Sequence, residues 1–194
     1  MPMPLDIRTT EIPGILEASV MLANDARGFF TEVYNQDTWH AQGFTETFVQ
    51  DNLSLSAKGT LRGLHYQIEP EPMGKLVRAI RGAVFDVAVD LRKDSPTFGK
   101  WIGRELSVEN NLMLWIPSGF AHGFVALADD TLVYYKCSGT HAPEHERSLS
   151  YKDPSVGIDW PLPPTIITEK DADAPTLENA EYNFVYRSEE NQPS

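Results

Sequence analysis

The sequence predicts an all-β fold, a sandwich or a barrel. Three features point there: alternating apolar and polar residues recur through the middle of the chain, turn residues separate these runs at even spacing, and apolar residues at helical spacing are scarce. The N-terminal stretch alternates apolar and charged residues through Asp6, Arg8 and Glu11. Asp37 is placed to cap a short helix through Trp39 and Gln42, stopped by Gly43. Residues 76–81 read as a strand ended by Gly82. Residues 84–91 are the clearest strand, with Phe85, Val87, Val89 and Leu91 on one face and Asp86 and Asp90 on the other. A turn over 93–99 leads to a strand over 101–108, and Glu109, Asn110 and Asn111 make the next turn. Strands over 112–116 and 123–127 flank a loop containing Pro117, Ser118 and Gly119, and a last strand spans 131–138. A second short helix starts near Thr168 or Asp171 and is limited by Pro175. The prolines of 160–164 mark a boundary, because each restricts its predecessor to extended backbone.

One domain is expected over 1–194: N-terminal strands and a short helix over 1–50, a β core over 51–160, and a C-terminal wrap over 161–194. The polar end, 188–194, is expected to fray. The net charge is −12 and no Lys/Arg cluster is present, which argues against nucleic acid as a partner. The longest uncharged stretch, 110–128, contains Pro117, Ser118, glycines and His122, so no membrane helix is expected. No basic stretch precedes an apolar run at the N-terminus, so a secretory signal is not expected. The single Cys137 excludes an internal disulfide framework and fits a reducing, cytoplasmic setting. It lies in a strand pattern and reads as structural.

Two segments carry chemistry-bearing residue types. In residues 59–67 Arg62 and His65 flank Gly63. A regular strand would turn Arg62 and His65 to opposite faces, so a shared pocket requires a bulge, for which Gly63 is the natural place. A solvated arginine and a hydrogen-bonded core histidine fit the same residues. The second segment, 117–123, has a P-x-G-x-x-H spacing that resembles the second motif of the cupin family, whose fold is a double-stranded β-helix, or jelly roll. The resemblance implies a cupin-type jelly-roll core with short flanking helices. Metal-binding cupins carry a His-x-His first motif. Here that position reads His65, Tyr66, Gln67, and two histidines make a weak divalent site. A metal-free cupin is therefore expected.

A series of segments, in order, resembles the dTDP-4-dehydrorhamnose 3,5-epimerase family, also called dTDP-4-keto-6-deoxyglucose 3,5-epimerases. The segments are 25–32 (DARGFFTE), 48–54 (FVQDNLS), 61–67 (LRGLHYQ), 74–77 (GKLV), 84–92 (VFDVAVDLR), 95–99 (SPTFG), 117–123 (PSGFAHG), 153–154 (DP) and 159–161 (DWP). The resemblance implies that His65 is the base removing a proton beside the C4 ketone, with Asp171 as its carboxylate partner. It implies that Tyr135 returns a proton on the opposite face and that Lys75 sits near the enolate oxygen. Arg27, Phe30, Glu32, Gln50, Asn52, Arg62, His122, His141, Glu146 and Lys170 match positions that hold nucleotide, diphosphate or sugar. By pattern alone, Tyr135 fits a core position, Lys75 a hairpin and Asp171 a helix cap.

The chemistry is self-consistent. Inverting a carbon needs a base on one side, an acid on the other and an enolate between. A histidine near its reference pKa of about 6.5 accepts a proton at neutral pH, and a tyrosine near 10 keeps its proton until it donates. A carboxylate fixes the histidine tautomer. An ammonium suits an oxyanion formed only in the transition state, and arginine suits a diphosphate. Protons move and electrons do not, so no cofactor is expected, and the chain has neither G-x-G-x-x-G after a strand nor a P-loop. One departure stands out: His141 occupies a position where the family usually has a tyrosine that stacks on the nucleobase. Alternatives are a C3-only or C5-only epimerase of an NDP-4-keto-deoxysugar, a metal-dependent cupin, and a non-catalytic sugar-nucleotide binding protein. A homodimer is expected, with Arg27 and Glu32 reaching the partner's pocket if the N-terminal strand crosses over.

Overall fold

The computed structural model describes residues 4–187. The expectation of a frayed tail at 188–194 lies outside the described residues. The chain begins with a hairpin of β1 (Leu5–Thr9) and β2 (Leu16–Val20), then a two-stranded ribbon of β3 (Ala23–Asp25) and β4 (Gly28–Phe30). Helix α1 (Gln36–His40) follows. The core strands are β5 (Gln50–Ser56), β6 (Leu61–Gln67), β7 (Lys75–Arg81), β8 (Ala83–Asp90), β9 (Trp101–Ser107), β10 (Leu112–Ile116), β11 (Phe120–Ala126), β12 (Thr131–Cys137) and β13 (Glu146–Ser148). Helix α2 (Glu169–Ala172) lies in the C-terminal wrap.

The strands form two main antiparallel sheets. One has the order β1-β2-β10-β7-β12-β5 and the other β13-β6-β11-β8-β9. Sequence neighbours are divided between the sheets, which produces the expected jelly roll. The inner faces meet through Val77, Leu114, Ile116 and Val133 from one sheet and Val84, Ala88, Ile102, Leu106, Phe120 and Phe124 from the other. Where β5, β6, β7 and β12 bring polar side chains inward, that apolar filling stops and a cavity remains.

The five-stranded sheet is covered on its outer face as well. Val87, Val89 and Leu91 pack there with Leu149, Val156 and Phe184, and Trp160 and Tyr182 lie against them. Strand β8 is thus buried on both faces, and Asp86 and Asp90 are fully buried. Asp90 holds the following turn together through Arg92, Ser95 and Thr97.

Two sequence expectations are corrected here and one is narrowed. Asn35, not Asp37, caps α1: its side chain accepts from the Asp37 and Thr38 amides, and Asp37 lies in the first turn. An asparagine at this position satisfies amides the helix cannot. Thr168 caps α2, as one of the two expected starts. The strand expected over 123–127 begins at Phe120, because residues 120–126 pair continuously with β8. His122 is therefore held in the sheet rather than on a loop.

Candidate active site

The expected bulge lies in β6. His65 pairs with His122 of β11, yet Arg62 pairs with Phe124, so β6 carries one more residue than its partner over this interval. Gly63 sits inside it with φ of 116°. A Cβ there would lie 2.6 Å from the Gly123 Cα and from the His122 carbonyl oxygen, so the strands approach this closely only with glycine. The extra residue lets Arg62 and His65 line one cavity.

The bulge also anchors the dyad. The Gly63 amide donates to Asp171 Oδ2 at 3.3 Å. Asp171 Oδ1 lies 2.6 Å from His65 Nε2. Burial pushes the Asp171 carboxyl up, but the His65 contact, the Gly63 amide and the Thr168 hydroxyl outweigh it and hold the group below its usual range. A carboxylate on Nε2 selects the tautomer protonated there and leaves Nδ1 as the basic nitrogen.

Lys75 and Tyr135 come from the facing sheet. Together with His65 they line both lobes of the cavity, which measure about 300 and 490 Å³. Gln50, Asn52, His141 and Glu146 join them in the smaller lobe. Arg62, His122, Lys170 and Asp171 join them in the larger. Burial lowers the proton affinity of Lys75, opposed by the charges of Cys137, Asp86 and Glu146. Burial raises the Tyr135 phenol, so it keeps its proton at neutral pH. Arg62 is fixed by its Nε donating to the Ser56 hydroxyl and an NH2 donating to the Leu55 carbonyl.

Glu146 accepts from Lys170 Nζ at 2.6 Å, and His141 Nε2 lies 3.8 Å from the same carboxylate oxygen. Burial raises the Glu146 carboxyl, and Lys170 outweighs it. The His141 amide donates to Gln50 Oε1, which ties this loop to β5. Cys137 is buried and unpaired, with the Asn52 amide nitrogen donating to its sulfur.

The structure does not bring Arg27, Phe30 and Glu32 to this cavity. Arg27 is bound to Asp25 within the exposed β3–β4 ribbon, and Phe30 is 69% exposed. Glu32 lines a separate hollow with Phe29, Arg78, Ile80 and Tyr134. The ribbon pairs only with itself, so nothing pulls these side chains toward their own chain's cavity.

Sequence reasoning missed Tyr66, Gln67 and Met73 in the smaller lobe, and Ser54, Thr60, Phe124 and residues 166–168 in the larger. It also missed Asp86, whose Oδ1 lies 2.8 Å from His122 Nε2. The available signal was an acidic residue flanked by the inward-facing Val84 and Ala88. Among the described residues, no helix is long and apolar enough to cross a membrane, and no group of three or more His, Cys, Asp or Glu is placed to hold a metal ion.

Comparison with known proteins points the same way as the geometry. A family model for dTDP-4-dehydrorhamnose 3,5-epimerase matches residues 9–179. The dTDP-4-dehydrorhamnose 3,5-epimerase of Pseudomonas aeruginosa is 51% identical over 172 residues, covering 88% of this chain and 94% of the relative. That of Shigella flexneri is 48% identical over 179 residues, covering 92% of this chain and 99% of the relative. The crystal structure of the dTDP-6-deoxy-D-glucose-3,5-epimerase of Legionella pneumophila, in complex with dTDP-4-keto-L-rhamnose, superposes with a TM-score of 0.91. It is 43% identical and covers 95% of this chain and 100% of its own. With fold, sequence and cavity in agreement over nearly the whole length, this chain belongs to the dTDP-4-dehydrorhamnose 3,5-epimerase family.

Proposed function

We propose that the chain inverts C3 and C5 of dTDP-4-dehydro-6-deoxy-D-glucose to give dTDP-4-dehydro-L-rhamnose. The observation that carries the chemical part is the placement of a carboxylate-bound histidine on one sheet and Lys75 and Tyr135 on the other, around one cavity. His65 takes the proton alpha to the C4 ketone through Nδ1, and Asp171 stabilises the imidazolium. The electrons of the C–H bond move into an enolate, whose oxygen the Lys75 ammonium stabilises. Tyr135 delivers a proton from the other sheet, and exchange with solvent restores the imidazole and the phenol. The same base and acid serve the second carbon after the sugar shifts.

Gln50, Asn52, Arg62, His122, His141, Glu146 and Lys170 hold the nucleotide, diphosphate and sugar in this reading. Arg62 and Lys170 supply cations inside the cavity. His141 lines the smaller lobe with its imidazole half exposed, available to stack on a base. Arg27, Phe30 and Glu32 serve the pocket of a second copy in a homodimer. Their distance from the cavity of their own chain supports this, as do the exposed Phe29, Phe30, Leu53 and Leu55. The unpaired Cys137 supports a cytoplasmic setting.

Incubating the protein with dTDP-4-dehydro-6-deoxy-D-glucose in deuterium oxide tests the reaction. Deuterium at both C3 and C5, with conversion to the L-rhamno product, is expected. Label at one carbon alone identifies a mono-epimerase. No label with folded, dTDP-binding protein identifies a binding protein. Sedimentation at monomer mass with full turnover overturns the dimer.

A further inference from the structure

Asp86 lies on β8 with no solvent exposure. One of its carboxylate oxygens contacts His122 Nε2, while Oδ2 has no hydrogen-bond partner. A buried carboxylate oxygen left unpartnered is costly, so its retention needs a compensating charge. Among the described residues, the ion pairs at the cavity and its wall are His65–Asp171, His122–Asp86, Lys170–Glu146 and His141–Glu146, and Lys75 belongs to none of them. The cavity thus holds a lysine outside these ion pairs, and behind its His122 wall lies a buried carboxylate with one oxygen unpartnered. His122 does not serve as that cation: burial lowers its proton affinity more than Asp86 raises it, and Lys75 and His65 oppose its charge as well.

We propose that Asp86 is the positioning counter-charge of Lys75, holding the lysine protonated while it anchors His122 as a neutral donor. This inference rests on the proposed role of Lys75 beside the enolate. An uncharged amine there stabilises no oxyanion, and the desolvation of the cavity favours that uncharged amine. Asp86 offsets the desolvation through space without forming a contact pair, so the ammonium stays available to the substrate. The other titratable groups around Lys75 are Tyr135 and Cys137 on β12, Arg62 and His65 on β6, His122 on β11, Glu146 on β13, and Lys170 and Asp171 on α2. Of the carboxylates, Asp171 is committed to His65 and Glu146 to Lys170, which leaves Asp86 for Lys75.

The test follows the ¹³Cε signal of Lys75 against pH in protein carrying ¹³C-lysine, assigned by its loss in K75R. In the unaltered protein the midpoint should lie above the pH range of full turnover. In Asp86→Asn it should fall by about one pH unit or more. The high-pH limb of kcat should move down by the same amount, while the low-pH limb stays where it lies in the unaltered protein. An unmoved midpoint and limb in a folded Asp86→Asn protein overturns the inference and leaves Asp86 a packing residue. Should Asp86→Asn fail to fold, the unaltered protein still decides: a Lys75 midpoint below the pH of full turnover overturns the proposal. The NMR titration does not depend on turnover, so failure of the epimerase reading is seen separately, as absent deuterium incorporation.

Discussion

Two histidine–aspartate pairs sit side by side on the five-stranded sheet, and they differ in what surrounds them. His65 and His122 are register partners on β6 and β11, and each has Nε2 on a carboxylate, at 2.6 and 2.8 Å. His65 keeps 28% of its side chain exposed, whereas His122 keeps 7% and its aspartate none. The first pair gains a backbone amide on its second oxygen, and the second pair leaves that oxygen bare. In the proposed reaction, access suits the His65 pair to carry protons, and burial suits the His122 pair to serve as a fixed wall of the cavity. The same two residue types thus acquire different roles from solvent and from the groups opposite them.

The comparison is sharpest at the base. His65→Asn is expected to lower turnover by about 10²–10⁴-fold, with deuterium exchange lost at both carbons and dTDP affinity retained. Residual exchange near the rate of the unaltered protein assigns the base elsewhere. Tyr135→Phe separates the two faces of the sugar: inversion should fall by about 10²-fold or more while His65 still exchanges protons on its own side. Loss of exchange in step with inversion contradicts this division.

Asp171→Asn is expected to cost about 10²-fold in kcat with a smaller change in KM, because the imidazole loses its tautomer and the imidazolium its counter-charge. A change confined to KM places Asp171 in binding instead.

The smallest effect is on stability, and it separates the pairs by pH. Burial holds His122 below its ordinary value, so the folded state binds its proton less readily than the unfolded state. The contribution is present above the unfolded pKa of about 6.5 and declines as pH falls from there toward the folded value. Asp171 is also lowered, so its contribution is present above about 3.9 and is lost as pH falls below that. Melting temperature scanned with pH should show the first loss below about pH 6.5, and His122→Gln should remove it. An unchanged slope in that variant assigns the loss to other groups.

Much of this was readable in the chain because it is local. Strand alternation marks β8 and β12, and the flanking turns bound β9 and β10, to within a few residues, since an apolar face must recur every second position wherever one face meets a core. The bulge was readable because only a glycine between Arg62 and His65 lets both face one cavity. The residue types of a proton-transfer site and the family were readable from short contiguous segments. The cap of α1 was misplaced by two residues because Asn35 and Asp37 both suit it, and only the backbone distinguishes them.

Tertiary structure decided the rest. His65 and Asp171 are 106 residues apart, and their contact follows from how the C-terminal wrap crosses the β6 bulge. No local pattern marks Asp86 as the partner of His122, because that pairing depends on the register of β8 against β11. The separation of Arg27, Phe30 and Glu32 from the cavity depends on a ribbon that bonds only to itself. Sequence by itself determined which side chains were available and which strands would carry them, because propensity and alternation act between near neighbours. The fold decided which of them share one cavity, because desolvation and charge act through space between residues that only distant strand pairing brings together.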